Sequence, residues 1–339
     1  YRAETTYRQD RHTLTLAAQQ QYNPDLLEGE TPAWRTVQRL PEFKWVVSNW
    51  GLNSLPLGTE VILGHYGERP STVTMNRAFG QLTLGRRSWR PAERTTVDYQ
   101  GLLGGALYGD GQRQAWTFAR LGLNQRLTDR LQFSSTYSRR DVWGHSPFRF
   151  DAQRPQEDLG LRLSYSAPAL RASLNTNYNF LTERFSVLTL STSWRPNSAW
   201  NLSLSAAFDL NSMELTRVVP MVEYKKDQFD LRLAVRYHPT DQVLERLDAR
   251  FTLPVGTTWL VSYDSIYEPL KQAFSKGSVS ITKDLHCREL RLSYDHVGKS
   301  VALQYTIKAF PTLPIGWDSQ GGLSLFDLED VADLVGVEE

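Results

Sequence analysis

The sequence contains no long hydrophobic run, although it is 339 residues long. Its most apolar stretch, residues 102–108, is short and is interrupted by Gly104 and Gly105. A membrane-spanning helix needs about 20 consecutive apolar residues, so the sequence excludes a helical membrane protein. A bilayer-spanning β-strand is not excluded, because it places apolar residues only at alternate positions and dilutes the signal.

The chain also contains little cysteine and carries almost no net charge. Cys287 is the only cysteine, so the chain forms no internal disulfide and no cysteine-based metal cluster. The net charge is +1, which provides no broad basic surface, and we expect no nucleic-acid partner. The chain opens at Tyr1 without a charged and then apolar leader. Either a signal peptide has been removed or the chain is a fragment, and strand-like residues 2–7 favour the fragment.

Motifs for chemistry are lacking as well. None of the six His residues has a partner at the spacing of a zinc-binding helix, and no phosphate-binding glycine loop is present. Asp141, His145 and Ser146 lie close together in a predicted loop, as in some outer-membrane hydrolases. Such polar clustering is expected by chance. We therefore predict no enzymatic activity, no catalytic residues, no metal and no cofactor.

Alternation of apolar and polar residues is abundant. From Trp200 to Leu210 one face is apolar and the other mostly polar, over the roughly 9–11 residues that a tilted membrane strand requires. The same period of two recurs around residues 14–18, 131–137, 229–237, 247–253 and 301–307. Arg and Asp lie in mid-strand on the polar side, as they do in the polar interior of a membrane barrel or on a solvated sheet face.

Aromatic residues are the other abundant class, with 10 Trp, 15 Tyr and 14 Phe. Membrane barrels collect such rings at both interfaces with the lipid headgroups. The predicted strand ends carry nine of them, namely Trp116, Tyr137, Tyr165, Trp194, Trp200, Tyr237, Trp259, Tyr263 and Tyr294. Together with the alternation, they predict an all-β fold, an antiparallel transmembrane β-barrel of roughly 18–26 strands. A soluble β-sandwich binding module remains an alternative.

Turn signals separate the strands at residues 109–111, 128–130, 196–198, 225–227 and 296–298. Longer irregular stretches at 23–33, 86–94 and 142–157 predict long loops on one rim. We assign residues 1–322 to the outer-membrane barrel and residues 323–339 to an acidic C-terminal tail. The tail is either a short amphipathic helix or a disordered terminus.

Four stretches resemble one known family. Residues 144–151, Gly-His-Ser-Pro-Phe-Arg-Phe-Asp, are similar to a Gly-x-Ser-Pro-Phe-x-Phe-Asp loop, and residues 284–287, Asp-Leu-His-Cys, to an Asp-x-His-Cys element. Residues 39–42 and 307–311 add less specific similarity. The family is the LPS-assembly outer-membrane protein family (LptD, also called organic solvent tolerance protein).

The matching positions carry structural expectations. Pro41 lacks a backbone donor, so we expect it at a strand start or an unpaired edge. Phe148 and Phe150 are expected to pin the loop at the barrel mouth, while Asp151 caps its turn. No residue is assigned to substrate binding. The full set of motif positions is Pro41, Gly144, Pro147, Phe148, Asp151, His286 and Cys287.

The resemblance implies a function in the cell outer membrane. Members of the family deliver lipopolysaccharide, or in other lineages a related envelope lipid, to the outer leaflet through a seam between the first and last strands. The implied partners are that lipid, the outer-membrane bilayer, a lipoprotein plug and a periplasmic lipid-transport bridge. The family's disulfides cannot close within this chain, so Cys287 is either a neutral strand residue or half of a disulfide with a missing segment.

One alternative function stays open from the sequence. A passive porin or solute channel fits the same strand pattern, and residues 86–94 or 142–157 are candidates for the inward-folded constriction loop that a porin requires.

Overall fold

The computed structural model describes residues 1–20, 36–50, 55–69 and 71–325. Within them the regular structure is 22 strands and one short 3-10 helix, Pro269–Lys271. No helix in this described part is long and apolar enough to cross a membrane. The chain divides into two compact units, residues 1–163 with 176–186, and residues 164–175 with 187–339.

The first unit is built on eight consecutive strands. They are β1 (Arg2–Gln9), β2 (His12–Gln19), β3 (Thr36–Val47), β4 (Leu57–Arg69), β5 (Val73–Ala92), β6 (Thr95–Tyr108), β7 (Arg113–Arg126) and β8 (Leu131–Gly144). Each pairs antiparallel with the next strand in the chain, from β1 with β2 to β7 with β8. Sequential pairing of this kind requires only hairpin connections, which the turn signals of the sequence provide.

Two strands, β9 (Gln156–Ser166) and β10 (Leu170–Asn179), are divided between the units, and β11 (Arg184–Phe185) belongs to the first unit. The second unit continues with β12 (Leu188–Trp194), β13 (Trp200–Asp209), β14 (Glu214–Lys226), β15 (Phe229–His238), β16 (Val243–Val255), β17 (Trp259–Glu268), β18 (Ala273–Asp284), β19 (Arg288–Asp295), β20 (Ser300–Ile307), β21 (Phe310–Asp318) and β22 (Gly322–Leu325). From β12 to β22 every strand again pairs antiparallel with its successor.

Local chemistry explains where the strands turn. At the β6–β7 turn Gly111 adopts a positive φ of 84°, which glycine accepts without steric cost. At the β19–β20 turn the Asp295 carboxylate accepts the backbone N–H groups of Val297 and Gly298, at 2.8 and 3.0 Å. Such side-chain acceptors stabilise tight turns. The predicted turns at 109–111, 128–130, 196–198 and 296–298 therefore lie between strands, as expected.

The strand count and the antiparallel all-β class agree with the prediction from the sequence. Two details of the prediction are wrong. Residues 86–94 are not a long loop, because β5 extends to Ala92 and a short turn leads directly into β6. Trp116 does not belong to an outer ring of aromatic residues, because it is 3% exposed and packs on the polar side of the sheet.

Two other predictions fall partly or wholly outside the described residues. The predicted loop at residues 23–33 lies outside them, and so do residues 326–339 of the predicted tail. The remaining part of that tail is occupied by β22, Gly322–Leu325, so the sheet continues past the domain boundary drawn at residue 322.

Candidate functional site

One face of the first unit is apolar and open. Register places Leu16, Phe43, Leu63, Ala78 and Leu107 in a single row across β2 to β6. Leu63 and Leu107 are 47% and 61% exposed, and no other part of the described chain covers this row. Each such side chain left in water forgoes roughly 1.5–3 kcal/mol of burial free energy, so a face of this extent requires an apolar medium.

The second unit has the same kind of face. Leu253, Val261, Ile281, Leu292 and Leu303 follow one another in register across β16 to β20. This distribution is that of strands crossing a lipid bilayer. It confirms the predicted transmembrane class and, because antiparallel spanning sheets of this kind belong to outer membranes, the predicted location.

Aromatic rings cluster toward the strand ends of this apolar face. Trp200 starts β13, Phe229 starts β15, and Tyr224 lies between them near the end of β14. The ring centroids of Trp200 and Tyr224 are 4.6 Å apart, and those of Tyr224 and Phe229 are 5.6 Å apart. Toward the opposite strand ends Tyr267 and Phe274 are 4.9 Å apart. Such clusters fit the headgroup layers of a membrane.

The opposite face is charged. In the second unit Glu223, Arg232, Arg250 and Asp264 lie side by side in register across β14 to β17. Arg250 Nη2 lies 2.9 Å from Asp264 Oδ2, and Lys276 Nζ lies 2.8 Å from the same oxygen. These groups keep 25–52% of their side-chain surface exposed, so they line space that water can enter rather than a dry core.

In the first unit the polar face is partly covered by the loop between β8 and β9, residues 145–155. Phe148 is fully buried and packs with Tyr66, Ala106, Tyr108 and Trp116, the only cluster of buried hydrophobic residues in the described chain. Trp116 fits there because Gly104 on β6 has no side chain, and a Cβ atom at Gly104 would lie 2.5 Å from the indole. Phe148 thus pins the loop, as predicted from its motif.

A buried ion pair fixes the end of this loop. Arg77 of β5 donates from Nε and Nη2 to the two oxygens of Asp151, at 2.6 and 2.7 Å. The hydroxyl of Tyr108 donates to Asp151 at 2.7 Å. The sequence suggested that Asp151 caps its own turn. That prediction is wrong, because its carboxylate is directed at the strands. Removing one partner of such a pair costs roughly 3–5 kcal/mol, since the other charge stays buried.

A second carboxylate holds the loop backbone. Glu68, near the end of β4, is 1% exposed. Its oxygens accept the backbone N–H groups of Arg149 and Phe150, at 2.6 and 3.0 Å. On β7 the Gln114 side chain accepts the N–H of Gln153 at 3.2 Å. The loop therefore has anchors on four successive strands, β4 to β7.

The start of the loop depends on Gly144 and Ser146. Gly144 has a positive φ of 73°, and a Cβ atom there would clash with the Arg113 carbonyl, so the position requires glycine. The Ser146 hydroxyl accepts the N–H of Phe148 at 3.1 Å and donates to its carbonyl at 2.9 Å. Together with Pro147 these contacts form the tight bend that directs Phe148 onto the sheet.

The hydrolase alternative gains no support from this geometry. The Ser146 hydroxyl is engaged by Phe148, and Asp141 is bound by Arg139 Nε at 2.9 Å on β8. In the described residues no hydrogen bond joins Asp141 to Ser146. In the described residues no group of three His, Cys, Asp or Glu side chains is arranged to hold a metal ion.

Pro41 lies elsewhere than predicted. It is in the interior of β3, which is paired on both sides, and not at a strand start or an unpaired edge. The register shifts on both sides here, between Ala17 and Gln19 on β2 and between Arg39 and Glu42 on β3. A bulge is the other place in a sheet where proline is accepted, because the missing donor then breaks no ladder bond.

His286 and Cys287 form the short turn between β18 and β19. His286 has a positive φ of 71°, and its N–H donates to Asp284 at 2.7 Å. Asp284 also binds Lys308 Nζ at 2.7 Å, which joins this turn to the end of β20. Cys287 is exposed and lies between the end of β18 at Asp284 and the start of β19 at Arg288, so it is a turn residue rather than a strand residue.

Arg77, Glu68 and Tyr108, the side chains on the strands that bind the loop, were not predicted from the sequence. Glu68 and Arg77 carried a signal, because each is a charged residue within a strand that also contributes to the apolar face, through Leu63 or Ala78. Such residues are expected to have partners once they are buried. The loop that supplies the partners lies 43 to 82 residues away in the sequence, and no local pattern encodes contacts at that distance.

Comparisons with known proteins add little. No family model matches the chain, and no curated protein matches it. Among solved structures the KdgM porin in complex with disordered oligogalacturonate is 12% identical, with 57% of this chain and 97% of that chain covered and a TM-score of 0.24. The FrpB iron transporter from Neisseria meningitidis (F3-3 variant) is 8% identical, with 94% and 66% covered and a TM-score of 0.30. Similarities at TM-scores this low carry no inference about this chain.

Proposed function

We propose that the chain is an outer-membrane β-barrel whose charged face lines an aqueous path for small solutes. The observation that carries this proposal is that the sheet in both units has one open apolar face and one charged face. Hydrocarbon cannot pair the backbone groups of an open sheet edge, so strands in a bilayer must close into a barrel. The charged face then surrounds water and the apolar face contacts lipid.

The β8–β9 loop supports a channel with a restricted width. Porins narrow their pores with an inward-folded loop and select solutes with lumen charges. The loop at residues 145–155 lies on the charged face and is anchored by Glu68, Arg77 and Phe148. Its position meets the requirement that the sequence had left open for a porin. Residues 86–94 do not, because they belong to the β5–β6 ribbon.

The test is a liposome-swelling assay with purified protein and neutral sugars of increasing size. The proposal predicts swelling with monosaccharides and a sharp size limit. Deleting residues 146–150 with a short glycine replacement should raise that limit, because the loop no longer occupies the path. Protein that inserts and folds but permits no sugar entry would contradict the channel.

Delivery of lipopolysaccharide or a related lipid is the second candidate. Besides the motif resemblance, it is favoured by the double register shift at Pro41, which leaves a local gap in the ladders that join β3 to β2 and to β4. An amphiphile can move with its sugars in water and its acyl chains in lipid wherever a strand seam is weakly bonded. The proposed partners are then the lipid, a lipoprotein plug and a periplasmic bridge.

Depletion in the native bacterium separates the two functions. If newly made lipopolysaccharide stops reaching the cell surface while uptake of small solutes persists, lipid delivery is the function. If surface delivery is normal and solute uptake falls, the channel proposal holds. No catalytic step is proposed for either function.

A further inference from the structure

A separate polar cavity lies further along strands β5 to β8, beyond the part that the β8–β9 loop covers. Its volume is about 230 Å³, and its lining includes Asp98, Gln100, Arg120, Gly122, Asn124 and Thr136. Gln100 faces Arg120 in register, while Asp98 faces Gly122, which in turn faces Thr136. Because Gly122 has no side chain, the space between its neighbours stays open. The cavity is large enough for a group the size of roughly seven water molecules.

The polar groups of this cavity fall into two classes. Asp98 is satisfied, since Arg86 Nη2 donates to it at 2.8 Å, Asn124 donates at 3.4 Å and the Ser88 hydroxyl donates as well. By contrast, the side chains of Gln100, Arg120 and Thr136 make no hydrogen bond or ion pair with any other residue in the described ranges. The cavity therefore presents an amide, a guanidinium and a hydroxyl that have no protein partner.

The local charge is positive. Arg86 and Asp98 neutralise each other, which leaves Arg120 without a countercharge. Arg140 adds a second cation one row further along the sheet, where its guanidinium lies 5.5 Å from the ring centroid of Phe118. The Nε of Arg140 is buried and has no hydrogen-bond partner. Two cations beside a polar cavity attract an anion.

We propose that this cavity binds the oxyanion of a sugar, either a phosphate or a carboxylate, as the solute moves along the charged face. The proposal rests on the channel function above and names its class of solute. The planar guanidinium of Arg120 matches the geometry of both oxyanions. Gln100 and Thr136 supply the donors and acceptors that sugar hydroxyls need. Binding at such a site is weak enough to release the solute, as conduction requires.

Calorimetry on the full chain in detergent micelles tests the site without a membrane. The probes are glucose 6-phosphate, glucuronate, glucose and inorganic phosphate. We expect both sugar anions to bind better than glucose, and Arg120→Gln to weaken that binding by about tenfold or more, since a hydrogen bond to a charged group is lost. Arg113→Gln is the matched control, because Arg113 lies on the same strand but on the opposite face, and it should bind as the wild type does.

The outcomes are distinct. If only one of the two sugar anions binds, that oxyanion is the ligand and the site stands. Equal affinity of Arg120→Gln and wild type overturns the site. If inorganic phosphate binds as tightly as glucose 6-phosphate, the claim that the cavity also recognises the sugar is overturned. Should Arg120→Gln fail to fold, Gly122→Val fills the cavity without a charge change and should also abolish binding.

Failure of this site and failure of the channel can be told apart. Solute entry into liposomes without binding of any sugar anion removes the site and leaves the channel. Binding without solute entry removes the channel and leaves the site as a surface for an anionic saccharide.

Discussion

Arg77 and Asp151, which are 74 residues apart in the sequence, form a bidentate ion pair, and both side chains are almost fully buried. The pair joins strand β5 to the β8–β9 loop. It lies among the rings of Phe79, Tyr66 and Phe150, whose centroids are 4.5, 5.5 and 5.9 Å from the guanidinium carbon. The loop is therefore fixed by electrostatics and by packing at the same point.

Asp151→Asn should release this loop. The neutral amide leaves Arg77 buried without a countercharge, at a cost of roughly 3–5 kcal/mol. That cost raises the population of the detached loop by roughly a hundredfold or more. Limited trypsin digestion of the folded protein should then cleave after Arg149 much faster than in wild type. Asp129→Asn is the control, since Asp129 is exposed in the β7–β8 turn. Equal cleavage of all three proteins would show that the pair does not hold the loop.

An arginine should lower the stability of the protein on one face of β13 but not on the other. Leu204 lies on the apolar face between Thr192 and Pro220, whereas Ser205 lies on the other face between Ser191 and Val219. Leu204→Arg should destabilise the protein in lipid vesicles by about 2–4 kcal/mol, the cost of an arginine in the bilayer centre. Ser205→Arg should change stability little. The measurement is equilibrium unfolding in denaturant, and similar losses for both variants contradict the assignment of faces.

Charges on the polar face should set ion selectivity. Asp264 binds both Arg250 and Lys276, so Asp264→Asn leaves two cations without their shared countercharge. The reversal potential in a salt gradient should shift toward anion selectivity. Asp227→Asn, in the β14–β15 turn, provides a control outside the strands. A shift of the same size in the control would mean that this face does not line the conducting path.

Cys287 should report the side of the membrane on which the short turns lie. Outer-membrane barrels have short turns toward the periplasm and longer loops toward the exterior. A membrane-impermeant maleimide should therefore label Cys287 only after the outer membrane has been permeabilised. Arg149→Cys, in a Cys287→Ser background, should be labelled on intact cells because residue 149 is exposed in the β8–β9 loop. The reverse pattern would invert the assigned topology.

The strand pattern was predictable because it is local. Alternation along residues 200–210 predicts β13, and that strand has the expected apolar and polar faces. The burial of Phe148 also followed from a short motif. Three features did not follow from local patterns. The partners of Asp151 are distant in sequence, Pro41 is accepted by a bulge that depends on two neighbouring strands, and Trp116 faces inward because Gly104 makes room for it.

Single-channel recording in a planar lipid bilayer tests the channel most directly. The purified chain, with its insertion and fold verified, is compared with Asp151→Asn. We expect discrete conductance steps for the wild type and larger steps for the variant, because release of the β8–β9 loop widens the path. Folded, inserted protein that gives no conductance in either form would contradict it.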